Sequence, residues 1–409
     1  MPRPADTLWW HVYPLGFVGA EPTATDGVRH RLPRLAGWLD RARELGLDGL
    51  LLGPVFASES HGYDTLDHFA VDGRLGDADD LAALFAAARE RDMPVVLDGV
   101  FNHLGRGHAI VRRALAAGPG TPEGAWIRWS GDHPYCFEGH ESLVELDLTE
   151  PAVRDYVAGA MIRWLDAGAS GWRLDAAYAA GADAWAPIVA RVRERHPDAW
   201  LLGEVLHGDY AAFVAASGLD TVTQYELWKA VWSGLNDRNL FELAWALQRH
   251  AAFAEAFRPQ TFIGNHDVTR IATQLADPRQ LPIAAALLML LPGTPSVYYG
   301  DEYGFAGEKR HAVGGDDAIR PAFPESPDAL APNAATAAYR RAIELRREHP
   351  WLADARLTTG HLTNTGIAIG LAGRGGQHLT LGINLAEEPL ELPGSRGPLR
   401  LGPASWALG

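Results

Sequence analysis

The chain has 409 residues, 47% of them hydrophobic, enough for one large domain of catalytic size and a smaller companion. Its 36 Lys and Arg against 51 Asp and Glu leave a net charge of −15, which argues against nucleic acid or an anionic membrane as partner. Cys136 is the lone cysteine, so neither an internal disulfide nor a cysteine-built zinc site can form.

Read in chain order, the opening "MPRPADTLWWHVYPLGF" lacks a basic stretch followed by an apolar core. No secretion leader is therefore expected, and a cytoplasmic location is. Strand candidates follow at 8–17, 47–55, 94–100, 171–177, 200–205, 221–226, 261–267 and 294–302. Between them lie helical patterns such as 77–92, 151–168 and 182–196. The first of these carries carboxylates at its start and basic residues at its end, as the helix dipole favours. The most apolar run, "LPIAAALLMLLPG" (281–293), is too short to span a bilayer.

Eight alternating β and α units imply parallel strands joined by right-handed crossovers, and hence a (β/α)8 TIM barrel. No Gly-x-Gly-x-x-Gly follows the first strand, which counts against a dinucleotide fold. Two segments break the rhythm. Residues 104–146, rich in Gly, Pro and aromatics, are too long for a barrel loop and read as an inserted subdomain. From residue 351 the pattern turns to short, glycine-punctuated β pieces, a small antiparallel domain over 351–409. The barrel itself is expected over 1–103 and 147–350.

Charged and imidazole groups collect at the C-terminal ends of four strand candidates, where barrels of this kind build their sites. "DGVFNH" supplies Asp98, Asn102 and His103; "GWRLDAA" supplies Arg173 and Asp175; "LLGEV" supplies Glu204; "FIGNHD" supplies Asn265, His266 and Asp267. Any one of these alone reads as a helix cap or a structural ion pair. Four ends meeting on one rim read as a catalytic site. Arg173 and Asp175, two apart in a strand, must point to the same side. Three carboxylates with an arginine and two histidines suit glycoside hydrolysis, which needs a carboxylate nucleophile, a carboxylic acid and negative charge beside an oxocarbenium-like transition state. No His-x-His or His-Glu-x-x-His spacing supports metal-assisted hydrolysis.

These four stretches, in this order, resemble the signature regions of the α-amylase family, glycoside hydrolase family 13. "HGYDTLDHF" (61–69), "LVELDL" (143–148) and "GTPSVYYGDE" (293–302) add to the resemblance, which runs from about residue 8 to about 350. It implies Asp175 as nucleophile, Glu204 as general acid/base and Asp267 as the transition-state-stabilising carboxylate. It also implies that Arg173 keeps the nucleophile ionised, that His103 and His266 bond the sugar at the cleaved position, and that Tyr63 stacks on it. Asp64 and Arg270 would lie near that sugar, and Asp98 would order the rim. No cofactor is required by the resemblance, but it allows calcium, with Asn102 as one ligand. Calcium-dependent members usually follow the nucleophile with Lys-His, whereas this chain continues "AAYAAG".

"GEVLHGDYAAF" (203–213) resembles the cyclomaltodextrinase, neopullulanase and maltogenic amylase group. An oligosaccharide is therefore the expected partner: maltooligosaccharides or cyclic maltodextrins, hydrolysed with retention through a glucosyl-aspartate. A transglycosylase or glucan isomerase of the same family shares that intermediate, and a non-catalytic glucan-binding barrel would have lost the carboxylates. Members of the group commonly dimerise through an added N-terminal domain. Here the barrel pattern begins almost at residue 1, so that route is not expected, and a homodimer by another route stays open. Trp126, Trp129, Tyr135 and Phe137 in the insertion suit either a sugar-stacking wall or the insertion's own core. Trp228 and Trp232 read first as helix packing, with the lining of acceptor subsites as the alternative.

Overall fold

The computed structural model describes residues 1–312 and 314–409. Eight parallel strands form one sheet: β1 (Trp9–Val12), β2 (Gly49–Leu52), β3 (Val95–Gly99), β4 (Gly171–Leu174), β5 (Trp200–Gly203), β6 (Thr221–Val222), β7 (Gln260–Thr261) and β8 (Thr294–Tyr298). The sheet runs in the order β6-β5-β4-β3-β2-β1-β8-β7, and a parallel bridge between Thr223 and Gln260 closes it into a barrel.

Every strand is shorter than its apolar run suggests. The run at 8–17 splits into β1 and a helical turn at Pro14–Phe17, where proline supplies no amide to the ladder. At 221–226 and 261–267 only the first residues pair. The remainder of each run leaves the barrel rim and carries polar side chains upward. Alternation along the strands sorts the rest. Trp9, Leu51, Val96, Trp200 and Leu202 fill the barrel's interior, with Trp9 and Trp200 stacked at 5.2 Å. Their neighbours face the helices.

The helices expected at 77–92, 151–168 and 182–196 are α1 (Ala78–Glu90), α3 (Pro151–Ala167) and α4 (Ala182–Arg195). Asp77 caps α1 through a capping box with Asp80. Between α1 and α3 lies the insertion, with α2 (Ala109–Ala117) and a short pair joining His103–Gly105 to Leu143–Glu145. Then come α5 (Tyr210–Ser217), α6 (Tyr225–Asn236), α7 (Leu240–Ala256), α8 (Leu281–Leu290) and α9 (Ala334–Glu348). The apolar run at 281–293 is α8, buried against α9. Among the described residues no helix is long and apolar enough to cross a membrane.

Beyond α9, β9 (Arg356–Leu362), β10 (Gly366–Ala372), β11 (His378–Asn384) and β12 (Ser405–Leu408) form an antiparallel sheet in chain order. The hairpin Leu390–Leu392 with Leu399–Leu401 packs on it.

Candidate active site

Strand register brings the charged groups together. In the β3–β4 pairing Arg173 stands opposite Asp98; in the β4–β5 pairing Leu174 stands opposite Gly203. One residue further on, Asp175 and Glu204 are therefore neighbours above the rim. Arg173 lies at the centre. Its Nη1 donates to both oxygens of Asp98 at 2.8 and 2.7 Å and to Asp175 Oδ1 at 3.3 Å, and its Nη2 pairs with Glu204 Oε1 at 2.7 Å. A single guanidinium thus serves three buried carboxylates, with Asp175 the most loosely held.

The turn after β4 is strained. Ala176 adopts φ 46°, ψ 37°, a left-handed conformation that costs an L-residue roughly 1–2 kcal/mol. The strain aims the Ala176 amide at Glu204 Oε2, 3.0 Å away, while the Asp175 amide is tied to the Gly99 carbonyl. Tyr225, at the start of α6, donates its hydroxyl to Glu204 Oε1 at 3.0 Å and accepts from Asn265 Nδ2.

Asp267 is fixed by His266 Nε2 at 2.9 Å and by Arg320 Nη2 at 3.0 Å. Arg320 comes from the loop after β8; it also bonds the His266 carbonyl and Asp316, and lies over the Tyr13 ring at 4.6 Å. The Tyr63 hydroxyl contacts both Asp98, at 3.0 Å, and His266 Nε2. His266 Nδ1 in turn meets His11 Nε2 at 3.3 Å. The result is one continuous polar network from Arg173 to Asp267.

Electrostatics separate the acids. Burial pushes the Asp175 carboxyl well above the usual range, the charge of Glu204 adds to this, and Arg173 opposes it. For Asp267 burial also pushes upward, but His266, Arg320 and Arg173 outweigh it and hold that carboxyl well below its ordinary value. Burial drives the His103 imidazole down to about 3, so it is neutral. Its Nε2 lies 4.0 Å from Asp175 Oδ2 and, among the described residues, has no hydrogen-bond partner.

Asp175, Glu204, Asp267, Arg173, His103, His266 and Tyr63 therefore converge on one rim. Asp64 and Arg270 face elsewhere. Asp64 accepts from the Ser60 amide and hydroxyl and shapes the loop before Thr65. Arg270 is buried behind the rim, bound to Asp301 and the Tyr299 carbonyl. Asn102 Nδ2 is engaged with His103 Nδ1 at 3.3 Å. Among the described residues the one grouping of His, Cys, Asp or Glu ligand atoms close enough to share a cation is His30, Asp77 and Asp80, and it includes neither Asp98 nor His103, the neighbour of Asn102. A hard cation wants six or more oxygens, and the side-chain partner of Asn102 is an imidazole nitrogen, which supplies none.

The insertion's aromatics make three different contacts. Trp129 donates to the Gly124 carbonyl within the subdomain, and Trp126 packs edge-on against Tyr156 of α3, joining the subdomain to the barrel. Phe137 instead lies flat on His103, ring centroids 4.5 Å apart. Sequence reasoning missed Tyr225, Arg320 and His11. The polar His11 inside the apolar run "LWWHVYPLGF" is the signal that could have found the last.

Fold and site together define a barrel protein with a carboxylate centre built on four strand ends. The alpha amylase catalytic-domain model matches residues 31–355, and the chain belongs to the alpha-amylase family. It is 30% identical over 321 residues to a cyclomaltodextrinase of Bacillus sp., covering 74% of this chain and 56% of that protein. To the intracellular maltogenic amylase of Bacillus subtilis strain 168 it is 24% identical, over 74% of this chain and 56% of that protein. The chain thus spans little more than half the length of these curated relatives. Among solved structures, the cyclic α-maltosyl-(1→6)-maltose hydrolase from Arthrobacter globiformis, in complex with its namesake sugar, superposes with TM-score 0.87 over 99% of this chain and 98% of that one. At 24% identity that likeness speaks to the fold.

Proposed function

We propose that the protein is a retaining α-glycoside hydrolase acting on maltooligosaccharides or cyclic maltodextrins, working in the cytoplasm. The observation that carries this reading is the joint grip of Arg173 on Asp175 and Glu204, opposite a separately clamped Asp267. Similarity to a cyclomaltodextrinase supports the substrate class, and similarity to an intracellular maltogenic amylase supports the location.

The chemistry follows from charge. Asp98, Asp175 and Glu204 surround one guanidinium, and burial pushes the Asp175 carboxyl up, so the cluster retains a proton. When a sugar binds, Glu204 uses the proton on the leaving oxygen while Asp175 attacks the anomeric carbon. The oxocarbenium-like transition state develops positive charge beside Asp267, which is held ionised for that purpose. Glu204, now a base, takes a proton from water, and hydroxide attack releases the sugar from Asp175.

The test is proton NMR of maltotriose and β-cyclodextrin digests, following the first-formed anomer. The α anomer is expected; the β anomer, or no turnover of any α-glucan, overturns the reading. Chromatography of the same digests separates hydrolysis from transfer, since transfer yields products longer than the substrate.

A further inference from the structure

Most exposed large apolar side chains in this chain are scattered, but Phe241 and Trp245 stand one turn apart on α7, 51% and 60% exposed. Residues four apart share a helix face, so the two form an aromatic ridge where a barrel helix normally shows polar groups. Beside it lies a groove of about 540 Å3 between α6 and α7, lined by Leu206, Tyr225, Trp228, Lys229, Glu242 and Trp245. That volume is within the usual span of roughly 300–1,000 Å3 for small-molecule sites.

The groove adjoins the catalytic centre through Tyr225, although Glu204 and Asp175 themselves do not line it. Leu206 is two residues beyond Glu204, and Tyr225 donates its hydroxyl to Glu204 at 3.0 Å. The Tyr225 ring meets Trp228 edge-on at 5.8 Å, and Trp228 stacks on Phe262 at 6.3 Å, so its position is fixed from behind. Lys229 and Glu242 pair at 2.5 Å and stay 54% and 28% exposed, leaving donors and acceptors at the rim. Indole faces flanked by an ammonium and a carboxylate match a pyranose, which offers an apolar C–H face ringed by hydroxyls.

Direction selects the occupant. The proton donor of a glycosidase stands at the leaving oxygen, and the groove departs from Glu204. The groups that hold the cleaved sugar, Asp267, His266 and His103, are not among its lining residues. We infer that this α6–α7 groove receives the glucosyl units on the leaving-group side of the scissile bond, with Trp245 as its outer stacking platform. The inference rests on the reading of the site as an α-glucan hydrolase.

The test compares hydrolysis of maltose and maltohexaose by wild type and by W245A, W245F and F69A, the last an exposed aromatic outside the groove. W245A should raise KM for maltohexaose roughly three- to tenfold more than KM for maltose, the worth of one aromatic contact. W245F should fall between W245A and wild type, and F69A should match wild type. A maltohexaose-to-maltose KM ratio unchanged in W245A overturns the groove assignment and leaves the hydrolase reading intact. An unchanged ratio with a loss of dimer in sedimentation velocity also overturns it, the ridge then being a contact between copies. A wild type inert on every α-glucan overturns the hydrolase reading and this inference with it.

Discussion

Arg320→Met is the most informative single change outside the three carboxylates. The side chain is 10% exposed and makes four contacts: Asp267 at 3.0 Å, Asp316 at 2.9 Å, the His266 carbonyl at 2.9 Å and the Tyr13 ring at 4.6 Å. Methionine keeps much of the packing against Tyr13 and removes the charge. Breaking a fully buried ion pair costs about 3–5 kcal/mol. Asp267 and Asp316 are 31% and 33% exposed, so water recovers part of that, and about 2–3 kcal/mol of stability should be lost. The sign with pH follows from Asp267. Its carboxyl is held below its unfolded value of 3.8, so its contribution is full above that value and fades as pH falls through the lowered one. Urea unfolding should therefore show the deficit of R320M in full at pH 6–7 and a narrowing gap below about pH 4. Because Asp267 loses one of its two tethers, kcat/KM should fall about 10- to 100-fold, and R320K, which restores charge without the planar fork, should recover only part of it. An R320M protein with wild-type kcat/KM and an unchanged urea midpoint would refute the clamp.

D175N and E204Q should each lower kcat by several orders of magnitude while keeping the fold, as circular dichroism and kinetics with maltotriose will record. Asp175 is pushed up by burial, so its charge costs stability at neutral pH, and D175N should unfold at a temperature equal to or above wild type. Glu302, buried and accepting a hydrogen bond from Trp10 Nε1 at 3.1 Å, is pushed up to about 8. A raised carboxyl contributes most below its unfolded value of 4.5 and loses that contribution as pH rises to about 8. E302Q should flatten this slope in thermal melts recorded from pH 5 to 8.5. Dialysis against EDTA should leave maltotriose hydrolysis unchanged, with no gain on adding calcium; a loss restored by calcium would place a cation at Asn102 or elsewhere.

Physical reasons divide what could be read from one dimension from what could not. Eight apolar runs alternating with amphipathic ones leave few ways to bury both faces of a sheet, so the barrel was legible. The carboxylates stood out because helix caps and ion pairs explain one charged strand end but not four on the same rim. Strand ends were less legible, since apolar residues such as Phe262 and Ile263 continue past the ladder and stay buried in the rim. Asp64 and Arg270 illustrate another limit: a motif carries a side chain's identity but not its direction.

Contact across the barrel was beyond reach. Tyr63 and His266 are 203 positions apart, and Arg320 and Asp267 are 53 apart. Neither "GGDDAIRPAF" nor "TVTQYE" shows a local pattern announcing that Arg320 would clamp one acid or Tyr225 bond another. By itself the order of residues determined which strands exist, which face of each is buried and which ends carry acid. Only the side-by-side pairing of β3, β4 and β5 decided that one guanidinium would be shared among Asp98, Asp175 and Glu204. Register between neighbouring strands, a property of the assembled barrel, sets those distances.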